Sequence, residues 1–127
     1  MGDVGGRLQR LEQRPLEILV GAQSSLTGGA TPRGDVVLSL AGFDRITDIG
    51  SDRARAQAGV TLADQDAVLA PKGRYYPPAP TFTGASIGGT IATNAAGAAT
   101  FKYGTTRDWV EAVTVVLASG DVLDIER

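Results

Sequence analysis

Two stretches of this chain carry groups able to hold an anion. Residues 21–29 read GAQSSLTGG. Gly21, Gly28 and Gly29 let backbone N–H groups turn toward one point, as an anion-binding nest requires. Ser24, Ser25 and Thr27 add hydroxyl donors and Gln23 adds an amide, while Ala22 and Leu26 complete the loop. No carboxylate lies between Glu17 and Asp35 to repel a phosphate. The loop lacks the Gly-Lys-Ser/Thr of a P-loop and the Gly-x-Gly-x-x-Gly of a dinucleotide fold. Taken alone, it reads equally as a polar surface loop.

Residues 84–97 read GASIGGTIATNAAG. Ser86 suits a helix cap, Ile87 and Ile91 sit four apart, and Gly97 can close the helix. These signals predict a short helix over residues 87–96. Gly88 and Gly89 would lie in its first turn, where free N–H groups and the positive end of the dipole face an approaching ligand. Asn94 is the only amide in the stretch and would bond a ligand edge or its own backbone. The competing reading is a helix packed closely on a sheet. Two such loops in one short chain point to a large anionic or dinucleotide ligand.

Other polar side chains carry less. Tyr75, Tyr76 and Tyr103 would stack on a flat ring or fill partly buried positions. Arg107 and Asp108 read as a surface ion pair, Arg33 as a turn residue, and Asp64 and Asp66 as helix N-terminal charges.

The chain of 127 residues has no histidine and no cysteine. That removes the commonest general base, the thiolate nucleophile, and disulfide and Cys/His metal sites. An enzyme of this length with neither residue would have to use carboxylates, Lys, Tyr or a cofactor, which points to chemistry supplied from elsewhere. Twelve basic residues against fourteen acidic ones leave no electrostatic footprint for nucleic acid. Residues 82–101 carry no charge and match the length that spans a bilayer, and they contain Gly84-x-x-x-Gly88. Their Ala, Gly and Thr content inserts too weakly for a membrane helix. No apolar signal core follows the N-terminus.

The elements that must position these loops follow from periodicity. Residues 7–14 read as a short polar helix ended by Pro15, and residues 1–15 as a frayed start. Residues 16–20, 35–40 and 46–49 read as strands, and residues 53–60 as a half-buried strand with alternating alanines. Thr61-x-x-Asp64 opens a helix of about ten residues, with Gly73 at its stop. The proline-rich YYPPAP follows, and residues 112–117 and 122–125 form a hairpin turning at Ser119 and Gly120. The order implies an α+β domain with a mixed sheet.

The segments SSLTGG, VVLSL, AGVT, GRYYPPAP, SIGGTIATNAAG, KYGTTRDWV and VTVVLASGDVL, in this order, resemble the FAD-binding domain of FAD-linked oxidases. This is the PCMH-type fold shared with vanillyl-alcohol oxidase, and the pattern is most similar to the glycolate oxidase and D-lactate dehydrogenase branch. The resemblance covers roughly residues 16–125. It implies two small α+β subdomains with mixed sheets, here incomplete, with residues 16–127 as a partial FAD-binding domain.

By resemblance, residues 21–29 would wrap the FAD pyrophosphate, and Pro80, Gly84, Ala85 and Ser86 would line the flavin side. Gly88, Gly89, Thr90 and Asn94 would touch the pyrophosphate, ribityl chain or ring edge, and Gly97, Tyr103 and Gly104 would complete the wall. The family usually opens its first loop with Arg-Gly-Gly-Gly-Thr, where this chain has Val20-Gly21-Ala22-Gln23-Ser24. It often has Asn where Thr90 stands.

The resemblance implies hydride transfer from a 2-hydroxy acid to a non-covalent FAD, since no His or Cys is present for attachment. It implies a fragment whose catalytic and substrate-binding residues lie in a missing domain, and a cytoplasmic protein, with peripheral membrane association of the longer protein as the alternative. The rival readings are a nucleotide-binding module without turnover, an alkyl-glycerone-phosphate synthase and a sugar-lactone oxidase.

Overall fold

The computed structural model describes residues 17–127. The polar helix expected over residues 7–14 lies outside them. Among the described residues, six short strands form three separate two-stranded ladders. β1 (Glu17–Val20) and β2 (Val36–Ser39) pair in parallel, with Leu19 opposite Leu38. A parallel pair cannot be closed by a tight turn. The connection is therefore the long glycine-rich segment, which leaves the sheet at the end of β1. β3 (Ile46–Ile49) and β4 (Ala54–Ala56) pair antiparallel, as do β5 (Ala112–Val116) and β6 (Val122–Glu126). Both parallel and antiparallel ladders occur, and short helices lie between them, as an incomplete α+β domain requires. Strand β4 is shorter than the alternation of residues 53–60 predicts. Gln57 breaks off to donate its N–H to the Arg45 carbonyl, and the chain then turns through Gly59.

Helix α1 (Leu62–Leu69) starts with a full capping box. The Thr61 hydroxyl accepts the Asp64 N–H at 3.1 Å, and the Asp64 carboxylate accepts the Thr61 N–H at 3.3 Å. Its buried face is Leu62, Gln65 and Leu69. A single 3-10 turn (Ala70–Lys72) ends at Gly73, whose φ of 69° is left-handed. Helix α2 (Ile87–Ala92), helix α3 (Thr100–Tyr103) and a 3-10 segment (Thr106–Trp109) follow.

Helix α2 stops four residues earlier than the sequence suggests. Asn94 adopts φ 46°, its N–H bonds the Ile91 carbonyl, and the Ala95 N–H bonds the Thr90 carbonyl at 2.8 Å. This is a Schellman stop with Asn in the place glycine usually takes. Gly97 therefore does not close the helix. It passes so close to the Ala79 carbonyl that a Cβ there would overlap it.

The core is small. Val20, Val60, Leu62, Leu69 and Ala85 are its buried apolar residues, with Thr90 and Thr106 buried beside them. Its centre is a backbone seam in which residues 58–63 run alongside residues 83–88. Leu62 N–H bonds Ala85, Ala63 bonds Thr83, Ile87 bonds Val60 and Gly88 bonds Ala58, all at 2.8–3.0 Å.

Candidate functional site

The seam decides what the start of α2 can do. The four N–H groups of its first turn all have partners within the chain. Ile87 donates to the Val60 carbonyl and Gly88 to the Ala58 carbonyl, each at 2.8 Å. Gly89 donates to the Ser86 hydroxyl at 3.3 Å and Thr90 to the Ser86 carbonyl at 2.9 Å. The expected free donors are thus engaged, and this helix start offers no anion site. A Cβ on Gly88 would lie 2.8 Å from the Ala58 Cβ. Glycine at 88 is required for close backbone approach within the chain. Gly89 is exposed, and a Cβ there would meet only the Ser86 Oγ, at 3.0 Å.

The first loop behaves differently. Residues 21–29 are all exposed. Among the described residues, the N–H groups of Ala22, Gln23, Ser24, Ser25, Leu26 and Gly29 have no hydrogen-bond partner. The loop is braced by its side chains: Ser25 Oγ lies 2.8 Å from Thr27 Oγ1, and Gln23 Nε2 donates to the Ala30 carbonyl at 3.4 Å. Gln23 and Gly28 both take left-handed φ, 50° and 64°. At Gln23, where the resemblance expects glycine, the backbone still adopts the glycine-like conformation.

The two predicted stretches meet at one point. A Cβ on Gly21 would overlap the Ser86 Oγ. Ser86 is buried, bridges to Thr61, and caps α2. The glycine at 21 thus lets the open loop leave β1 directly over the cap of α2.

A second cluster gathers the remaining predicted residues. Asn94 Oδ1 accepts the Arg107 N–H at 2.9 Å, and the Thr106 hydroxyl donates to the Ala95 carbonyl at 2.9 Å. Gly97 lies against Ala79 and Pro80, and the ring of Phe82 covers Gly84. Tyr103 Oη is 3.1 Å from Tyr75 Oη, and the Tyr103 carbonyl accepts the Trp109 Nε1–H at 2.7 Å. The rings of Tyr75 and Tyr103 meet edge-on, so these tyrosines pair with each other. Lys102 Nζ stands 4.7 Å from the Tyr103 ring centre. The Lys102 ammonium and then the Tyr75 hydroxyl hold the Tyr103 phenol below its ordinary pKa, whereas the bond to Tyr103 raises Tyr75. Burial raises Tyr76. Gly104 has φ 81°, and a Cβ there would strike the Asp108 carboxylate.

That carboxylate is not part of an ion pair with Arg107: among the described residues it accepts the Thr105 N–H at 2.8 Å, as a second capping box. The spacing Thr105-x-x-Asp108 repeats that of Thr61-x-x-Asp64, so the sequence held the signal. Ala58 also escaped the sequence reading, because nothing local marks it as the partner of Gly88. No hydrogen bond among the described residues joins residues 21–29 to residues 94–104. Thr90 is 2% exposed and its hydroxyl donates to Ile87, so it offers no surface.

The family described as "FAD binding domain" matches residues 8–126. A D-lactate dehydrogenase of Anaerostipes hadrus is 40% identical over 110 residues, which are 83% of this chain and 23% of that protein. Glycolate oxidase subunit GlcD of Bacillus subtilis (strain 168) is 38% identical over 107 residues, 81% of this chain and 23% of that protein. The chain therefore spans under a quarter of these curated relatives. Among solved structures, an alkyldihydroxyacetonephosphate synthase superposes with a TM-score of 0.77 at 21% identity, covering 88% of this chain and 24% of that one. That likeness concerns the fold.

Proposed function

This chain belongs to the FAD-binding domain family, and on that premise we propose that it is the FAD-binding portion of a flavin-dependent oxidoreductase acting on a 2-hydroxy acid of the D-lactate or glycolate type. The observation that carries the reading is the meeting of the open loop 21–29 with the α2 cap at the Gly21–Ser86 contact. The loop has unpartnered N–H groups, three hydroxyls and no carboxylate, which suits a pyrophosphate. Gly21, Ala22, Gln23, Ser24, Ser25, Leu26, Thr27, Gly28 and Gly29 would hold it. Gly89 is an exposed point near the start of α2 that a ligand could approach, and Pro80, Gly84, Gly97, Tyr103 and Gly104 would wall the flavin. Gly88 and Asn94 act one step back, by fixing backbone.

When bound, FAD supplies the two-electron acceptor for the carbinol carbon of the substrate. This chain's residues bind and orient. The sequence has no histidine or cysteine to move the substrate proton or attach the flavin, so we place that base in parts of the longer relatives that this chain does not span, and we take the FAD as non-covalent. Residues 16–127 would be part of one FAD-binding domain, and the substrate domain would be separate. No helix among the described residues is long and apolar enough to cross a membrane, and we place the longer protein in the cytoplasm.

The test is to purify the chain with FAD and follow the flavin spectrum on adding D-lactate or glycolate. Retained flavin that neither acid bleaches is the expected result, since the chain binds without supplying the base. Failure to retain any flavin would sink the reading. Bleaching would move catalytic residues into this chain.

A further inference from the structure

We infer that Gln23 is a positioning residue that holds the loop 21–29 in the shape that receives a phosphate or pyrophosphate. The inference rests on the reading of the loop given above. It starts from a backbone outlier. Gln23 has φ 50°, and the only other non-glycine with positive φ among the described residues is Asn94. Asn tolerates this conformation, but glutamine has no short side chain to stabilise it locally. Such conformations persist only where the surroundings over-determine them, and they gather at ligand sites.

The surroundings at Gln23 offer no packing reason. The residue is exposed. What holds it is its own carboxamide, which crosses the loop to the Ala30 carbonyl at 3.4 Å. The left-handed turn at 23 and the second at Gly28 enclose residues 24–27. Within that arc the N–H groups of Ser24, Ser25 and Leu26 have no partner among the described residues. Gln23, Ser25, Gly28, Ala30, Thr31 and Pro32 line one concavity, and none is acidic. A clasped loop with uncommitted N–H groups, bordering a concavity free of carboxylate, fits an oxyanion. The side chain thus sets a conformation that glycine would adopt without help, and it also closes the loop's two limbs on each other.

The experiment compares the wild-type chain with Gln23→Met, which keeps length and loses the donor, and Gln23→Lys, which restores a donor. In Gln23→Met, FAD affinity should fall about five- to tenfold, and the phosphorus NMR signals of bound FAD should move toward their free positions. Gln23→Lys should restore both. Unchanged affinity in Gln23→Met, or weaker affinity with unmoved phosphorus signals, would overturn the inference. A wild-type chain that retains no FAD would sink the reading of the loop, and the ligand role of Gln23 with it. Backbone NMR shifts of residues 25–30 in the flavin-free chain then still decide the clasp. Shifts that move to random-coil values in Gln23→Met and return in Gln23→Lys support it, and equal shifts in all three overturn it.

Discussion

Gly88 and Gly89 stand side by side in α2, yet a methyl group added to each meets different surroundings. At 88 it meets the Ala58 Cβ and carbonyl at 2.8 and 3.0 Å, a backbone that the seam holds in place. At 89 it meets a single side-chain atom, the Ser86 Oγ, at 3.0 Å. Gly88→Val should therefore destabilise the chain by about 1–3 kcal/mol through overpacking. Gly89→Val should cost less than about 1 kcal/mol and weaken FAD binding instead. Thermal unfolding and flavin titration on both variants check this, and equal loss of stability would refute the distinction. Asn94 offers a parallel test. Asn94→Ala forces φ 46° on a residue with no local compensation and removes the bond to Arg107, for roughly 2–3 kcal/mol. Asn94→Gly keeps the backbone and loses only that bond, about 1 kcal/mol. Denaturant unfolding that ranks the two alike would show that the left-handed stop is not the constraint.

At the scale of elements, two segments begin with the same device. Thr61→Ala removes the cap of α1 and should cost about 1 kcal/mol, read by urea unfolding. At Thr105–Asp108 the Thr105 N–H, then its hydroxyl, hold the Asp108 carboxyl below its ordinary pKa. A depressed carboxyl contributes stability above its unfolded pKa and loses it as pH falls through the folded value. The 3-10 segment should therefore loosen only below the usual aspartate range. A carboxyl NMR titration should place the Asp108 midpoint below the ordinary aspartate value, and in Thr105→Ala it should return part of the way toward it. The Thr61–Asp64 cap, the hairpin and Gly73 were legible because each signal lies within a few residues, whereas Thr105–Asp108, with the same spacing, reads in the sequence as an Arg107–Asp108 ion pair. The length of α2 was not. Small residues run on past Ala92 as if helical, and only the left-handed Asn94 stops them. The fate of the Ile87 and Gly88 N–H groups was illegible for another reason: their acceptors, Val60 and Ala58, are distant in sequence. That residues 21–29 form a polar loop was legible because a run of glycines and hydroxyls is a local fact, whereas its Gly21–Ser86 contact was not.

At the scale of the molecule, the three ladders among the described residues do not join one another, and the β1–β2 and β5–β6 ladders leave apolar surface open. The hairpin shows it best. Its register sets Val113 opposite Ile125 and Val115 opposite Leu123, so these four aliphatic side chains share one face. On the other face the Thr114 hydroxyl donates to Asp124 at 2.6 Å. Leu123 is 43% and Ile125 50% exposed. A two-stranded ladder with an uncovered aliphatic face and open edges attracts other apolar surface. β1 and β2 repeat the pattern, with Leu19 at 58% and Leu38 at 51%. The chain by itself should therefore bind an apolar dye and associate as its concentration rises. Replacing Leu123 and Ile125 by Lys should weaken association by about 1 kcal/mol per residue, roughly fivefold each. Sedimentation and dye fluorescence read this directly. The loop 21–29 lies on a different ladder, so flavin affinity should survive the double substitution. Loss of flavin together with loss of association would mean instead that the hairpin and the loop belong to one cooperative unit.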